Sequence, residues 1–183
     1  MPLHAQAQSD ILIADQDIYV KVWKDKSRQD KAVEVEGGIN INAPAETIWD
    51  IMLDCEQALI IVPKMRVCEV LETSNDGSWD IREQKIRIAP LIPKSVSIFR
   101  SDFNPYQSIK ISLVDGSMAV QEGIWTLDPI DTNKTRVSYW AALKPKFPVP
   151  NGILKNGVRK DVPKLLQNLK TQSENRVNIG AHE

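Results

Sequence analysis

The side chains that could do chemistry in this chain are few and scattered. Histidine occurs only at His4 and His182, close to the two ends of the sequence. A Ser-His or Cys-His nucleophile, a histidine-ligated zinc site and a histidine proton shuttle therefore lack their key residue in the body of the chain. Cys55 and Cys68 lie thirteen positions apart, unlike the close pairs of metal and redox motifs. That spacing reads as two free, mostly buried thiols, with a single bridge as the alternative. Gly37-Gly38 stands without the further glycines of a phosphate loop. What remains for acid–base work is Glu122, Asp161 and Tyr139. Glu122 falls on the strand face opposite Trp125, where a solvated carboxylate explains it better than a proton donor does. Asp161 reads as a helix recap or a polar anchor. Tyr139 fits the polar tip of a cavity wall, or core packing against Val137. No residue is singled out as catalytic or metal-ligating, and no cofactor is expected.

These side chains need elements to position them. In residues 150–172, Leu154, Val158, Val162, Leu165, Leu166 and Leu169 form one stripe of an α-helix. Pro163 should kink that helix, with Asp161 recapping its second half. From residue 66 the apolar period changes to two, which predicts strands over 66–73, 78–88, 95–103, 108–114, 120–128 and 134–144. Turn signals such as Asp76-Gly77 and Asp115-Gly116 separate them, and such short connections favour an antiparallel meander. Within 78–88, Trp79 and Ile81 share one face while Ile86 and Ile88 share the other. That change of phase predicts a bulge between Arg82 and Lys85.

Two earlier strands, 17–24 and 31–41, are joined by a polar turn, with Gly37-Gly38 at a bulge or bend. Asn42 or its neighbour should cap a helix reaching Asp54, with Pro44 in the first turn. A second short helix over 55–62 is stopped by Pro63. Its apolar end, Ala58-Leu59-Ile60-Ile61-Val62, cannot all face one core at helical spacing. The layout is a flexible tail over 1–16, one domain over 17–172 with its leading hairpin at 17–41, and a second flexible tail over 173–183.

Composition narrows the partners. The chain has 183 residues, 23 basic and 24 acidic, for a net charge of −1. No global field recruits nucleic acid or an anionic membrane, so no nucleic-acid partner is expected. The apolar runs are too short for a membrane span. The first eight residues, MPLHAQAQ, end in a small-residue pattern like the tail of a secretory signal, without its basic and apolar regions. An exported or periplasmic location is the expectation over a cytoplasmic one, with an ordinary frayed start as the alternative.

Three segments carry a resemblance. INAPAETIWDIMLDCEQALIIVPKM at 41–65, EGIWTLDPIDTNKTRVSYWAALKPKFPVPNGIL at 122–154 and VRKDVPKLLQNLK at 158–170 resemble the START-like (SRPBCC) superfamily. The likeness is to its polyketide cyclase/dehydrase and coenzyme Q-binding branch, over roughly residues 31–172. The resemblance implies an α+β helix-grip fold, a curved antiparallel sheet wrapped around a long C-terminal helix, with two short helices after the first strands. Family members often carry an aromatic and an acidic or polar pair where this chain has Ala58-Leu59-Ile60-Ile61. The hairpin at 17–41 looks like an extension of exported members.

A curved sheet closing on a helix leaves either a cavity or a solid core. Gly157 on the helix leaves room. The inner strand faces would supply Ile109, Ile111 and Leu113, then Trp125 and Leu127, then Val137, Tyr139 and Ala141, although alternation does not decide which set points inward. Trp49, Trp79, Trp125 and Trp140 each read as ligand wall or as core and rim. The expected ligand set is Leu59, Ile61, Leu91, Ile111, Leu113, Trp125, Tyr139, Leu154, Gly157, Val158, Asp161 and Val162. In the resembling fold, segments 58–63 and 89–93 frame the cavity mouth, which suits transient contact with a membrane surface. The leading expectation is non-catalytic binding or transport of a hydrophobic small molecule such as a lipid, an isoprenoid or a quinone. The alternatives are a cyclase or dehydratase using carboxylate and tyrosine chemistry, and a protein-interaction module.

Overall fold

The computed structural model describes residues 10–15, 18–87, 94–149 and 151–180. Alternation along β2 (Ile18–Trp23) buries Ile18, Val20 and Val22 while Tyr19, Lys21 and Trp23 face outward. β3 (Val33–Ile41) continues the sheet, and β4 (Met65–Thr73), β5 (Trp79–Ile86), β6 (Ser95–Asn104), β7 (Ser108–Gly116), β8 (Met118–Asp131) and β9 (Lys134–Pro145) form the six-strand meander. β1 (Asp10–Asp15) precedes them. All pairings are antiparallel, in the order β1-β2-β3-β9-β8-β7-β6-β5-β4. The two short helices α1 (Ala45–Leu53) and α2 (Cys55–Ile61) carry the chain from β3 to the far edge at β4. The long helix α3 (Asn151–Gly180) then returns across one face of the sheet, giving the helix-grip arrangement.

Both ends of the ordered fold extend beyond the sequence expectation. Residues 10–15, which the pattern assigns to a tail, pair with β2 from Asp10↔Val22 to Asp15↔Ile18, so the backbone groups along the outer side of β2 are satisfied. α3 does not stop at Gln172. Ser173 is fully buried and returns its hydroxyl to the Leu169 carbonyl, Val177 packs on the core, and Glu174 accepts from Asn42. Asn42 is therefore a strut to α3 and not a helix cap. Pro44 occupies the cap position of α1, with no side-chain cap.

Other local expectations also shift. Asp54 ends α1 and caps α2 by accepting from the amides of Glu56 and Gln57. β2 and β3 keep continuous register through Gly37 and Gly38, so no bulge lies there. A β-carbon on Gly37 would sit 3.2 Å from Leu166 Cδ1, and the glycine lets α3 close onto the sheet. α3 continues through Pro163 as one helix.

The irregularities of the β4–β5 pair lie between Met65 and Val67 and between Val70 and Glu72, while β5 pairs with β6 in unbroken register. β5 needs no bulge because its inward face begins with charge. Asp80 and Arg82 are buried there, in phase with Gln84 and Ile86.

Cys55 and Cys68 are joined by a disulfide, against the expectation of free thiols. Chain rise explains the meeting. From Cys55 to Ile61 the helix climbs about 9 Å, and from Met65 to Cys68 the strand descends about 10 Å. The reversal between them, with Lys64 at φ 64°, brings the two cysteines level.

Candidate functional site

α3 packs on β2 and β3 and against α1 and α2. Leu166 is sealed against that end of the sheet. Toward its N-terminal half the helix stands off. A β-carbon built on Gly157 would meet nothing within 4 Å. The space left is a cavity of about 300 Å³ between α3, the α1–α2 segment and the inner faces of β5 to β9, which lies at the lower end of small-molecule sites.

Most of the wall is apolar. α3 contributes Leu154, Gly157, Val158, Val162, Leu165 and Leu169, and α1 contributes Ile51, Met52 and Leu53. The end of α2 divides its apolar run, with Ala58, Ile61, Val62 and Pro63 facing the cavity while Leu59 and Ile60 face solvent. Asn168 on α3 donates to the carbonyls of Ile60 and Ile61 and holds that end in place. Along the sheet, Ile109 and Trp125 are register partners, as are Trp125 and Tyr139. The Trp125 and Tyr139 rings stack at 4.2 Å and form a flat apolar platform. Burial pushes the Tyr139 hydroxyl up to about 12. It stays neutral at physiological pH and can donate a hydrogen bond, but it is no base there.

On the far side of β7 from this platform lies a polar patch. Arg82 and Gln84 of β5 face Phe99 and Ser97 of β6, with Ser101 and Ser95 on either side. Arg82 Nε donates to Asp80 Oδ2 at 2.6 Å, and both side chains are less than a tenth exposed. Ser97 donates to Gln121 Oε1, and Ser95 donates to Met118 Sδ at 3.4 Å. These residues were not singled out from the sequence, yet a signal was present. Asp80-x-Arg82-x-Gln84 and Ser95-x-Ser97-x-Phe99-x-Ser101 are period-two runs of polar residues, and one such run on each of two adjacent strands can share the inner face.

The expected ligand set is largely assembled. Ile61, Ile111, Trp125, Tyr139, Leu154, Gly157, Val158, Asp161 and Val162 all line the cavity. Leu59 does not, since it lies on the outer side of α2 at 44% exposure. Leu113 does not either. It pairs with Phe99 just beyond an irregularity in the β6–β7 register and is only half-buried. Leu91, with segment 89–93, lies outside the described residues.

The candidate acid–base groups are not brought together. Asp161 reaches the cavity but accepts from Lys64 Nζ at 2.7 Å, so it is an ion-pair partner and not a helix recap. Glu122 lies on the outer face, where it joins Asp30 and Glu34 around Arg28. Trp49 belongs to the core, edge-on to Phe103 and Tyr106, and Trp79 lies under Arg100. Among the described residues no group of His, Cys, Asp and Glu could hold a metal ion.

Comparison with known proteins agrees with this architecture. The family model described as polyketide cyclase/dehydrase and lipid transport matches residues 41–170. Among solved structures, the STAR-related lipid transfer protein from Xanthomonas axonopodis superposes with a TM-score of 0.75 at 15% identity, over 90% of this chain and 98% of that one. Human StAR-related lipid transfer protein 5 gives 0.72 at 11% identity, over 94% and 89%. The Zhui aromatase/cyclase from Streptomyces sp. R1128 gives 0.67 at 18% identity, over 79% and 94%. At these identities the likeness is one of fold. No curated protein sequence matches the chain. With its model covering most of the sequence, the chain belongs to the polyketide cyclase/dehydrase and lipid transport family.

Proposed function

We propose that this protein binds or carries a hydrophobic small molecule in the cavity under α3 without transforming it. The ligand class is a single-chain lipid, an isoprenoid or a quinone-like molecule. The observation that carries this is the combination of a ligand-sized apolar cavity with no free carboxylate among the described residues that line it. Asp161 and Asp80 are each engaged by a cation, and Glu122 is on the other face. A cyclase or dehydratase would need a base near its substrate, and Tyr139, held at about 12, cannot supply one. A volume of about 300 Å³ suits one chain or a small ring system better than a two-chain lipid.

Two further features fit the same role. Leu59 and Ile60 are exposed at the cavity's α2 end, at 44% and 54%, and suit transient contact of segment 58–63 with a lipid surface. The disulfide suits an oxidising compartment and hence an exported protein.

Native mass spectrometry of protein purified from a lipid-containing host tests the carrier role. A co-purifying adduct is expected, together with a rise in melting temperature on adding quinones or fatty-acyl esters. A chain that stays empty and unshifted across such a panel overturns the proposal.

A further inference from the structure

We propose that the polar patch around Arg82 selects an uncharged headgroup whose polar atoms accept hydrogen bonds, such as an ester, amide or ketone carbonyl, over an anionic carboxylate. This deepens the carrier role and rests on it. Arg82 is 6% exposed and lines the cavity. Its Nε is taken by Asp80 Oδ2, and no described residue accepts from its two Nη nitrogens. Those nitrogens are not among the sealed, unpartnered atoms, and the residue that carries them lines the cavity. Ser101, on the inner face directly across from Asp80, is 3% exposed, and its hydroxyl has no described partner either. Guanidinium offers donors only, so its occupant must bring an acceptor.

Charge decides which acceptor. Among the described residues, the charged groups that line the cavity are each paired, Arg82 with Asp80 and Asp161 with Lys64. The wall is neutral in sum. A carboxylate entering it becomes an uncompensated charge in an apolar space, whereas a carbonyl oxygen accepts from Nη without adding one.

The test compares methyl decanoate with decanoate at pH 8 on the wild-type protein, each displacing a bound fluorescent apolar probe. The ester is expected to bind about tenfold or more tightly than the anion. Asp80→Asn should then shift the preference toward decanoate, because it leaves Arg82 without its counter-ion while Asn can still accept from Nε. Equal or tighter binding of decanoate by the wild-type protein overturns the headgroup assignment and leaves the carrier role standing. An Asp80→Asn protein that folds and keeps the wild-type preference also overturns it. If the fluorescent probe itself finds no site, the carrier role fails with it.

Discussion

Gly157 shows how one missing side chain can leave a space. It faces the cavity with nothing within 4 Å of its absent β-carbon. Leucine there should fill the space and lower ligand affinity at least about tenfold, while helix propensity changes stability by about 1 kcal/mol or less, in the favourable direction. Ligand titration alongside urea unfolding separates the two effects. Tyr139 carries a second expectation. Its folded value of about 12 lies above the ordinary 10, so its contribution to stability is complete below pH 10 and is lost as pH rises through 12. Tyr139→Phe should flatten that alkaline loss, as read by unfolding midpoints between pH 9 and 12. Both residues were legible in the sequence, because a glycine in a helical stripe and a tyrosine in a strand stand out. Arg82 was not. Its inward face became visible only when the β5–β6 register placed it across from Phe99, since a lone charge in a strand reads by default as solvent-facing.

Among the elements, α2 and β4 form a unit through the Cys55–Cys68 bridge. The closed loop is short, and the expected cost of opening it is about 3 kcal/mol. Reductant, or the double substitution Cys55→Ser/Cys68→Ser, should lower the urea midpoint accordingly. Spacing between cysteines was the wrong quantity to read here, and the balance of helix rise against strand rise was the right one. The same kind of error shortened α3. After Gln172 the sequence turns polar, yet Ser173 satisfies its hydroxyl within the helix and Glu174 spends its charge on Asn42. Polar residues that bond inward look like a frayed end to any pattern that counts only apolar positions. The strands themselves, with period-two patterns and turn signals between them, were readable in order and number from 17 to 145.

On the scale of the molecule, packing is uneven. One end, where α3 meets β2, β3 and α1, is a solid core built on Val20, Val35, Ile39, Ile48 and Leu166, all fully buried. The other end, over β5 to β7, is hollow. Local opening should follow that division. In hydrogen exchange, amides of β5, β6 and β7 are expected to exchange faster than those of β2, β3 and β9, and to gain protection when a ligand fills the space. Uniform exchange, unchanged by ligand, would contradict a cavity that holds a guest. α2 belongs to both regimes. It is barely two turns long, with Leu59 and Ile60 on one side and Ala58 and Ile61 on the other. Anything that grips the first pair therefore pulls on the guest's own ceiling, one backbone's thickness away. Under the proposed carrier role, landing on a lipid surface and loosening a bound molecule would be a single mechanical event in a segment this thin.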